Sequence, residues 1–138
     1  KLPKNVYLKP FVEQSKIPLI LGQSDLLLLP YLKKVYLSFD SKSSDNSKFM
    51  SPLKLFESLA SGTPIFCSNI KVLREVLKND YNSILINDFE KKNEWIEKII
   101  KISTNQNKLK FISKNAILTS KKYTWLKRTK AFIDLYNN

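Results

Sequence analysis

Residues 51–65 read SPLKLFESLASGTPI, and this stretch carries the signals of a helix that leads into a strand. Ser51 suits the N-cap position and Pro52 the first helical turn, while Gly62 supplies the stop at the other end. Four apolar side chains have the spacing of a buried helix face: Leu53, Phe56, Leu59 and Ala60. The run IFCS at 65–68 then predicts a buried strand, so the order is helix, turn, strand.

Further strand and helix patterns alternate along the rest of the chain. Strands are predicted at 5–8 (NVYL), at 25–29 (within SDLLLLP) and at 83–86 (SILI). A loosely helical patch ends at Gly22, and longer helices are predicted at 69–80, from 87–88 to about 102, at about 105–120 and from 124 onward. Because strands separated by helices favour a parallel sheet with right-handed crossovers, the sequence predicts one α/β domain.

Apolar residues give two of these helices a predicted inner face. In the helix from 87–88 to about 102 they are Phe89, Trp95, Ile96, Ile99 and Ile100. In the last helix they are Trp125, Phe132, Ile133 and Tyr136. Because aromatic residues at helical spacing are typical of a core, we expect Tyr123, Trp125 and Tyr136 to be buried.

The charge balance is strongly basic. The chain has 24 Lys and Arg residues against 12 Asp and Glu, which gives a net charge of +12. Such a charge favours nucleic acid, acidic lipid or phosphate-bearing ligands as partners. Many of the lysines fall in the predicted carboxyl-terminal helices, so one alternative interpretation is a basic helix face that contacts only solvent. A second is that the high lysine content reflects codon usage.

The rare residue types exclude several kinds of chemistry. The chain has no histidine, which excludes histidine-based acid–base catalysis and His-ligated metal sites within these residues. The single cysteine, Cys67, excludes an internal disulfide and is predicted to be a small core residue. No secretory signal is visible and the longest apolar run is too short to span a bilayer, so we expect a cytoplasmic location.

Ligands of open parallel sheets bind outside the carboxyl ends of the strands. Three segments are predicted to reach that edge: KPFV at 9–12, the polar segment 31–50, and Ser68-Asn69. The start of the helix after Ser51 offers free backbone N–H groups and a positive dipole end, which suit phosphate oxygens. Lys54 in the first turn adds a cation, a placement that helix stability alone disfavours.

Glu57 lies three residues after Lys54 on the same helix face, and two interpretations are open. The first is an i, i+3 salt bridge on a solvated helix, which contributes about 0.2–0.5 kcal/mol. The second is a carboxylate that accepts two ribose hydroxyls while Lys54 or the helix end holds a phosphate.

The motif SPLKLFESLASGTPIF, followed by VLREVL, NSILI and NAILTSKKYTWLKR, resembles the carboxyl-terminal half of a retaining glycosyltransferase of family four, which has the GT-B fold. The resemblance runs from VYLKPFV through SDLLLLPY to the end of the chain. It implies a Rossmann-like parallel sheet flanked by helices, over residues 1–138, that binds a nucleotide sugar. It also implies that an N-terminal acceptor domain and the first strand of this domain lie outside these residues.

The family's Glu-x7-Glu motif assigns candidate donor contacts by resemblance. Glu57 matches the second glutamate, which holds the donor ribose, whereas the first, which contacts the transferred sugar, falls at Phe49 beside Met50. The resemblance further assigns the donor diphosphate to Ser51, Leu53 and Lys54, and the base to the vicinity of Lys9 and Pro10. This chain departs from the family at Phe49 and at Lys9-Pro10, where glycine is common.

The same resemblance sets the expected partners and cofactors. It implies no metal and no cofactor beyond the nucleotide-sugar substrate, and Asp40 and Asp45 are too isolated to indicate a metal site. The expected partners are the nucleotide sugar, the N-terminal domain of the same chain and an anionic membrane surface at the inner face. Residues 1–138 alone are expected to bind donor weakly and to be inactive.

Two rival functions stay open at this point. One is a nucleic-acid-binding module, in which lysines and Tyr123, Trp125 and Tyr136 would neutralise phosphates and stack bases; their helical spacing argues against it. The other is a non-catalytic α/β nucleotide-binding or interaction domain, which Phe49 in place of glutamate supports.

Overall fold

Three parallel strands form the sheet at the centre of the structure, a computed structural model that describes residues 3–34 and 51–136. The strands are β1 (Leu27–Leu29), β2 (Ile65–Ser68) and β3 (Ile84–Ile86). They lie in the order β1-β2-β3, with Leu28 opposite Phe66 and Phe66 opposite Ile84. The predicted α/β, Rossmann-like class with a parallel sheet is therefore confirmed.

Five α-helices accompany the sheet in the described part of the chain. They are α1 (Ile17–Gly22), α2 (Leu53–Ser61), α3 (Lys92–Ser103), α4 (Gln106–Ser120) and α5 (Trp125–Tyr136). Short 3-10 helices occupy Gln14–Lys16 and Lys71–Glu75. Helix α4 packs against both α2 and α3, α1 packs against α2, and α3 lies against β3, so helices flank the sheet as predicted.

The core lies on both faces of the sheet because alternate strand residues point to opposite sides. The side chains packed on one face are Ile65, Cys67, Leu85 and, from α2, Leu55 and Leu59. Those packed on the other face are Phe66, Ile84, Ile86 and, from α4, Ile112. Every residue of β2 and β3 is buried, which is typical of parallel strands covered on both sides and confirms Cys67 as a core residue.

Gly62 ends α2 in the left-handed conformation, with φ at 72°. Its backbone N–H donates to the carbonyl of Leu59 at 3.3 Å. A Cβ atom at this position would lie 2.7 Å from Cδ1 of Ile117 on α4, so the close approach of α2 and α4 also requires glycine. The predicted helix stop is therefore confirmed, and it fixes where α2 meets α4.

The predicted strand at 5–8 is wrong, because residues 6–13 have no regular structure. The amide of Val6 donates to the carbonyl of Pro3 at 3.0 Å in a turn, and the side chains of Tyr7 and Leu8 are exposed. Within residues 3–34 and 51–136 the sheet has three strands, none of which lies beside this segment. Among the described residues, its aromatic and β-branched pattern therefore has no strand to pair with.

The predicted helix at 69–80 shortens to the 3-10 helix Lys71–Glu75. Buried Asn82 accounts for the difference: its Oδ1 accepts from the N–H of Lys78 at 2.7 Å, and its Nδ2 donates to the carbonyl of Val76 at 3.0 Å. This side chain thus binds the backbone groups that a longer helix would pair.

Two predicted helix faces are partly wrong. In α2 the buried residues are Leu55, Ser58 and Leu59, whereas Leu53 is 65% exposed and Ala60 also faces solvent. In α3, Trp95 and Ile99 pack toward the sheet, but Ile96 and Ile100 are exposed. Helix α3 begins at Lys92, later than expected, because the chain before it turns: the indole N–H of Trp95 donates to the carbonyl of Phe89 at 2.8 Å.

Helix α5 contradicts the expected burial of its aromatic residues. Tyr123, Trp125 and Tyr136 are exposed, as are Phe132 and Ile133, and no residue of α5 is buried. The helical period correctly identifies an amphipathic helix, but its apolar side chains stay exposed in the described structure.

Candidate functional site

The amino terminus of α2 lies at the carboxyl edge of the sheet, because α2 connects β1 to the parallel strand β2. The N-cap is Pro52 (φ −72°, ψ 123°), and no side chain caps the helix. The prediction of Ser51 as N-cap is therefore wrong: the helix begins at Leu53, and Ser51 is an exposed residue before the cap. First-turn amides without a side-chain cap are the groups that bind anions at helix ends.

Lys54 lies in this first turn with its side chain exposed. Among the ion pairs of the described residues, none joins Lys54 to Glu57, so the i, i+3 salt bridge does not form. The carbonyl of Lys54 accepts from the Ser58 hydroxyl at 2.7 Å, a contact on the buried side of α2. The ammonium group and the carboxylate of Glu57 therefore both remain accessible to a ligand.

Glu57 lines a cleft of about 250 Å³ between α1 and α2, which we call the α1–α2 cleft. Its α1 side is formed by Gln14, Ile17, Pro18 and Leu21, and its α2 side by Glu57, Ala60 and Ser61. The carboxylate thus stands at one wall of a cleft whose other wall is largely apolar.

The α1 wall of this cleft is held by a hydrogen bond that sequence reasoning missed. The Thr63 hydroxyl donates to the carbonyl of Leu21 at 2.6 Å, and Thr63 is itself buried. Residues 21 and 63 are far apart in sequence, so only the fold brings them together. The available signal was the helical patch ending at Gly22, which predicts α1 but not its position against α2.

A second cleft, the α2–α5 groove, opens on the other side of α2 and has a volume of about 520 Å³. Ser51, Leu53 and Phe56 line one side of it, and Lys122, Tyr123, Trp125 and Arg128 line the other. The Phe56 and Tyr123 rings lie 5.3 Å apart, and the guanidinium carbon of Arg128 lies 5.5 Å from the centre of the Trp125 ring. The sequence motifs did not indicate this basic and aromatic groove.

The next strand end contributes amide and hydroxyl groups to the same edge of the sheet. The side-chain amide of Asn69 donates to Oδ1 of Asn87 at 2.7 Å, which joins the ends of β2 and β3. Asn69 therefore does not cap the 3-10 helix after it, where the N-cap is Ile70. Ser68 is fully buried, and its hydroxyl has no hydrogen-bond partner in the described structure.

Two titratable groups near this edge, the buried thiol of Cys67 and the half-buried phenol of Tyr31, are held in their protonated forms. Burial raises the pKa of the Cys67 thiol to about 12. Burial also raises the pKa of the Tyr31 phenol, with Cys67 adding to the shift. A thiol with so high a pKa is not a nucleophile at neutral pH, so Cys67 has a packing role.

The other sequence-predicted site residues are not brought to Glu57. Lys9 and Pro10 are exposed in the segment without regular structure, and neither lines the α1–α2 cleft. Phe49 and Met50, the predicted contacts to the transferred sugar, lie outside the described residues, as do Asp40 and Asp45. Of the predicted donor contacts, the structure groups Ser51, Leu53, Lys54 and Glu57 on one helix start.

The described structure lacks the features of two other kinds of site. In residues 3–34 and 51–136 no three Asp, Glu, Cys or His side chains are grouped closely enough to bind a metal ion. No described helix has the length and apolar character that crossing a membrane requires.

Comparison with known proteins adds one match. The family model described as glycosyl transferases group 1 matches residues 1–119, which include both walls of the α1–α2 cleft and the start of α2. The match ends before α5. No curated protein matches the chain.

Proposed function

The chain belongs to the group 1 glycosyltransferases, and on this basis we propose that it transfers a hexosyl-type sugar from a nucleotide-diphosphate donor to a glycan or lipid-linked acceptor, with retention. Membership of the family supports glycosyl transfer as the class of reaction. The observation that carries the donor part of the proposal is the exposed carboxylate of Glu57, in the α1–α2 cleft and without an ion pair to Lys54.

In this proposal the nucleoside occupies the α1–α2 cleft. The Glu57 carboxylate accepts hydrogen bonds from two ribose hydroxyls, and the apolar side chains of Ile17, Pro18 and Leu21 contact the base. A volume of about 250 Å³ is below the range of about 300–1,000 Å³ that encloses a whole drug-sized ligand. The cleft therefore suits the nucleoside portion alone, and the diphosphate extends beyond it.

The diphosphate would lie at the start of α2. Glu57 is four residues after Leu53, a separation of about 6 Å along a helix axis, which fits the distance from a ribose to its phosphates. The first-turn amides, which no side chain caps, and the Lys54 ammonium group would stabilise the negative charge that develops on the departing diphosphate. This stabilisation needs no proton from histidine, a residue that the chain lacks.

The remaining donor and acceptor contacts are proposals carried by the family resemblance. Phe49 and Met50 would lie near the transferred sugar, and Lys9 and Pro10 near the base. The acceptor would bind an N-terminal domain of the same chain, and activity would require that domain.

The test is nucleotide binding by the full-length protein, measured by calorimetry with uridine and guanosine diphosphates. We expect Glu57→Gln to weaken binding roughly 10- to 100-fold, because hydrogen bonds to a charged group contribute about 1.5–3 kcal/mol each. Glu97→Gln, which removes an exposed carboxylate from α3, is the matched control and should bind normally. Equal affinity of the Glu57→Gln and wild-type proteins would reject the ribose contact.

A second candidate is a nucleotide-binding domain without transferase activity, which Phe49 in the place of the family's first glutamate favours. It is distinguished by donor hydrolysis and transfer assays on the full-length protein. Nucleotide binding that depends on Glu57, without release of sugar from any donor, would favour this candidate over the enzyme.

A further inference from the structure

The α2–α5 groove reaches the start of α2 from a different side than the α1–α2 cleft. Ser51, Leu53 and Phe56 line the groove, whereas Glu57 lines the cleft. Because neighbouring helix residues point about 100° apart, Phe56 and Glu57 direct the two cavities to different sides of α2. The proposed function places the diphosphate at the first turn of α2, so the groove is the cavity beside its outer phosphate, the one farther from the ribose.

The wall of the groove that faces α2 is basic. Lys122, Lys127 and Arg128 line this wall, and Glu75 is the acidic residue among those that line the groove. None of these three basic side chains takes part in an ion pair among the described residues. The Lys127 ammonium group donates to the carbonyl of Lys121 at 2.8 Å and is thus held by the backbone. The groove carries an excess of positive charge, which is complementary to an anionic ligand.

Arg128 is the cation of this wall whose surroundings best suit a phosphate. Its guanidinium carbon lies 5.5 Å from the centre of the ring of Trp125, three residues earlier on α5. Residues three apart share a side of a helix, so the ring restricts the positions of the guanidinium. A guanidinium has five N–H donors, and those directed away from the ring can bind two phosphate oxygens as a pair.

A contact between aromatic rings joins this part of the chain to α2. The Phe56 and Tyr123 rings lie 5.3 Å apart and are tilted by 45°. Phe56 is three residues after Leu53 on α2, and Tyr123 is two residues before α5 begins. The contact therefore holds the start of α5 beside the start of α2, on the two sides of the same groove.

We propose that Arg128 binds the outer phosphate of the donor's diphosphate from the α2–α5 groove, with Lys122 as an additional cation. This inference rests on the proposed function and deepens it. The first turn of α2 and Lys54 contact the diphosphate from one helix, and Arg128 adds a contact from a second. Residues 122 and 128 lie beyond residues 1–119, which the family model matches, so this contact is an addition to the matched part of the chain.

The test compares nucleoside diphosphates with nucleoside monophosphates, which lack the outer phosphate. Binding of uridine and guanosine nucleotides to the full-length protein is measured by calorimetry. We expect Arg128→Gln to weaken diphosphate binding roughly ten-fold or more, because paired hydrogen bonds to a charged group are lost, and to leave monophosphate binding nearly unchanged. The matched control is Arg74→Gln, which removes an exposed arginine outside the groove and should bind both nucleotides as wild type does.

Two further variants test how Arg128 acts. Arg128→Lys keeps the charge but loses the planar pair of donors, so its diphosphate affinity should fall between those of the wild type and Arg128→Gln. Trp125→Leu keeps the guanidinium but removes the ring that restricts it, and should also weaken diphosphate binding. Adding Trp125→Leu to Arg128→Gln should then cause no further loss, because the ring acts through the guanidinium. Additive losses would overturn this positioning role of Trp125.

Three results would overturn the proposal for Arg128. They are equal diphosphate affinity of Arg128→Gln and the wild type, equal losses for monophosphates and diphosphates, and equal losses in Arg128→Gln and Arg74→Gln. Failure of the proposed ribose contact gives a different result, because Glu57→Gln would then leave the binding of both kinds of nucleotide unchanged. If the ribose contact is correct, Glu57→Gln weakens the binding of monophosphates and diphosphates alike.

Discussion

Helices α2 and α5 are both amphipathic, yet their apolar sides meet different surroundings. In α2, Leu55 and Leu59 are fully buried against the sheet and α4. In α5, no residue is buried, although the helix carries more aromatic side chains. Helical spacing of apolar residues therefore predicts a helix with one apolar side, but it does not identify the element that packs against that side.

The difference also divides the proposed roles of the two helices. Because α2 is fixed by its buried side, its start and its exposed side remain available to a small ligand at the edge of the sheet. Within the described part of the chain, the apolar side chains of α5 are exposed instead.

The largest expected effect is the loss of a leucine on the buried side of α2. Leu59→Ala should lower the free energy of unfolding by about 2–5 kcal/mol, because Leu59 is fully buried and the substitution leaves a cavity. Leu126→Ala on α5 should change it by less than about 0.5 kcal/mol, since that side chain is 80% exposed. Urea denaturation measures both. Equal losses would mean that α5 is covered in the full-length protein.

The second prediction concerns the core beneath α2 at alkaline pH. The folded protein holds the Cys67 thiol with a pKa of about 12, above the usual 9.0, so the native state binds the proton more tightly. The thiol's contribution to stability is complete below pH 9.0 and falls by about 1.4 kcal/mol per pH unit as the pH rises toward 12. The stability difference between wild type and Cys67→Ala should therefore narrow over this range in unfolding experiments.

A cysteine on α5 supplies the comparison for that experiment. Leu135→Cys introduces a thiol at an exposed position, which should titrate normally and leave the pH dependence of unfolding unchanged. If the same pH dependence persisted in Cys67→Ala, it would arise from groups other than this thiol.

The third prediction tests the glycine that ends α2. Gly62→Ala should destabilise the protein by more than about 1 kcal/mol, because alanine disfavours the φ of 72° and its Cβ would meet Ile117. Gly22→Ala at the end of α1 is the matched control: no atom lies within 4 Å of its added Cβ, so the change should be neutral or slightly stabilising. Thermal unfolding of both variants checks this, and similar melting temperatures would contradict the close α2–α4 contact.

The smallest expected effect is at Asp80, an exposed residue with φ at 60°. Its carboxylate lies 3.0 Å from the ammonium nitrogen of Lys108, which joins the turn before β3 to α4. Asparagine accepts the same backbone conformation, but Asp80→Asn removes the ion pair. We therefore expect the free energy of unfolding to fall by about 0.2–1 kcal/mol. Urea denaturation at low and high salt checks this, since screening should abolish the difference; a loss that persists at high salt would assign another role to Asp80.

The sequence correctly predicted the elements whose type and ends are set by residues close together in the chain. Strand β2 matches its predicted span at 65–68, Gly62 ends α2 as expected, and α4 covers 106–120 where a helix over about 105–120 was predicted. These elements combine a strong apolar pattern with a terminating residue. The segment predicted as a strand at 5–8 pairs with none of the strands in the described part of the chain, and β structure depends on such pairing.

The candidate site was also predictable only in part, because contacts between distant parts of the chain do not follow from local sequence signals. Glu57 and Lys54 belong to one helix, so their common face followed from the helical period. The α1 wall of the cleft could not be predicted, because it depends on the bond between Thr63 and Leu21 across the fold. Ser51 failed as a cap because the cap position falls at Pro52, whose extended backbone precedes the first helical residue.

The close contact between Gly62 and Ile117 has a consequence at the opposite end of α2. With its carboxyl end against α4 and its inner side in the core, α2 is held in position by packing. Its dipole and first-turn amides are therefore already oriented toward the place proposed for the diphosphate, which is the preorganisation that electrostatic stabilisation requires. A substitution far from Glu57 that loosens this contact would thus weaken electrostatic preorganisation while leaving every ligand-binding group in place.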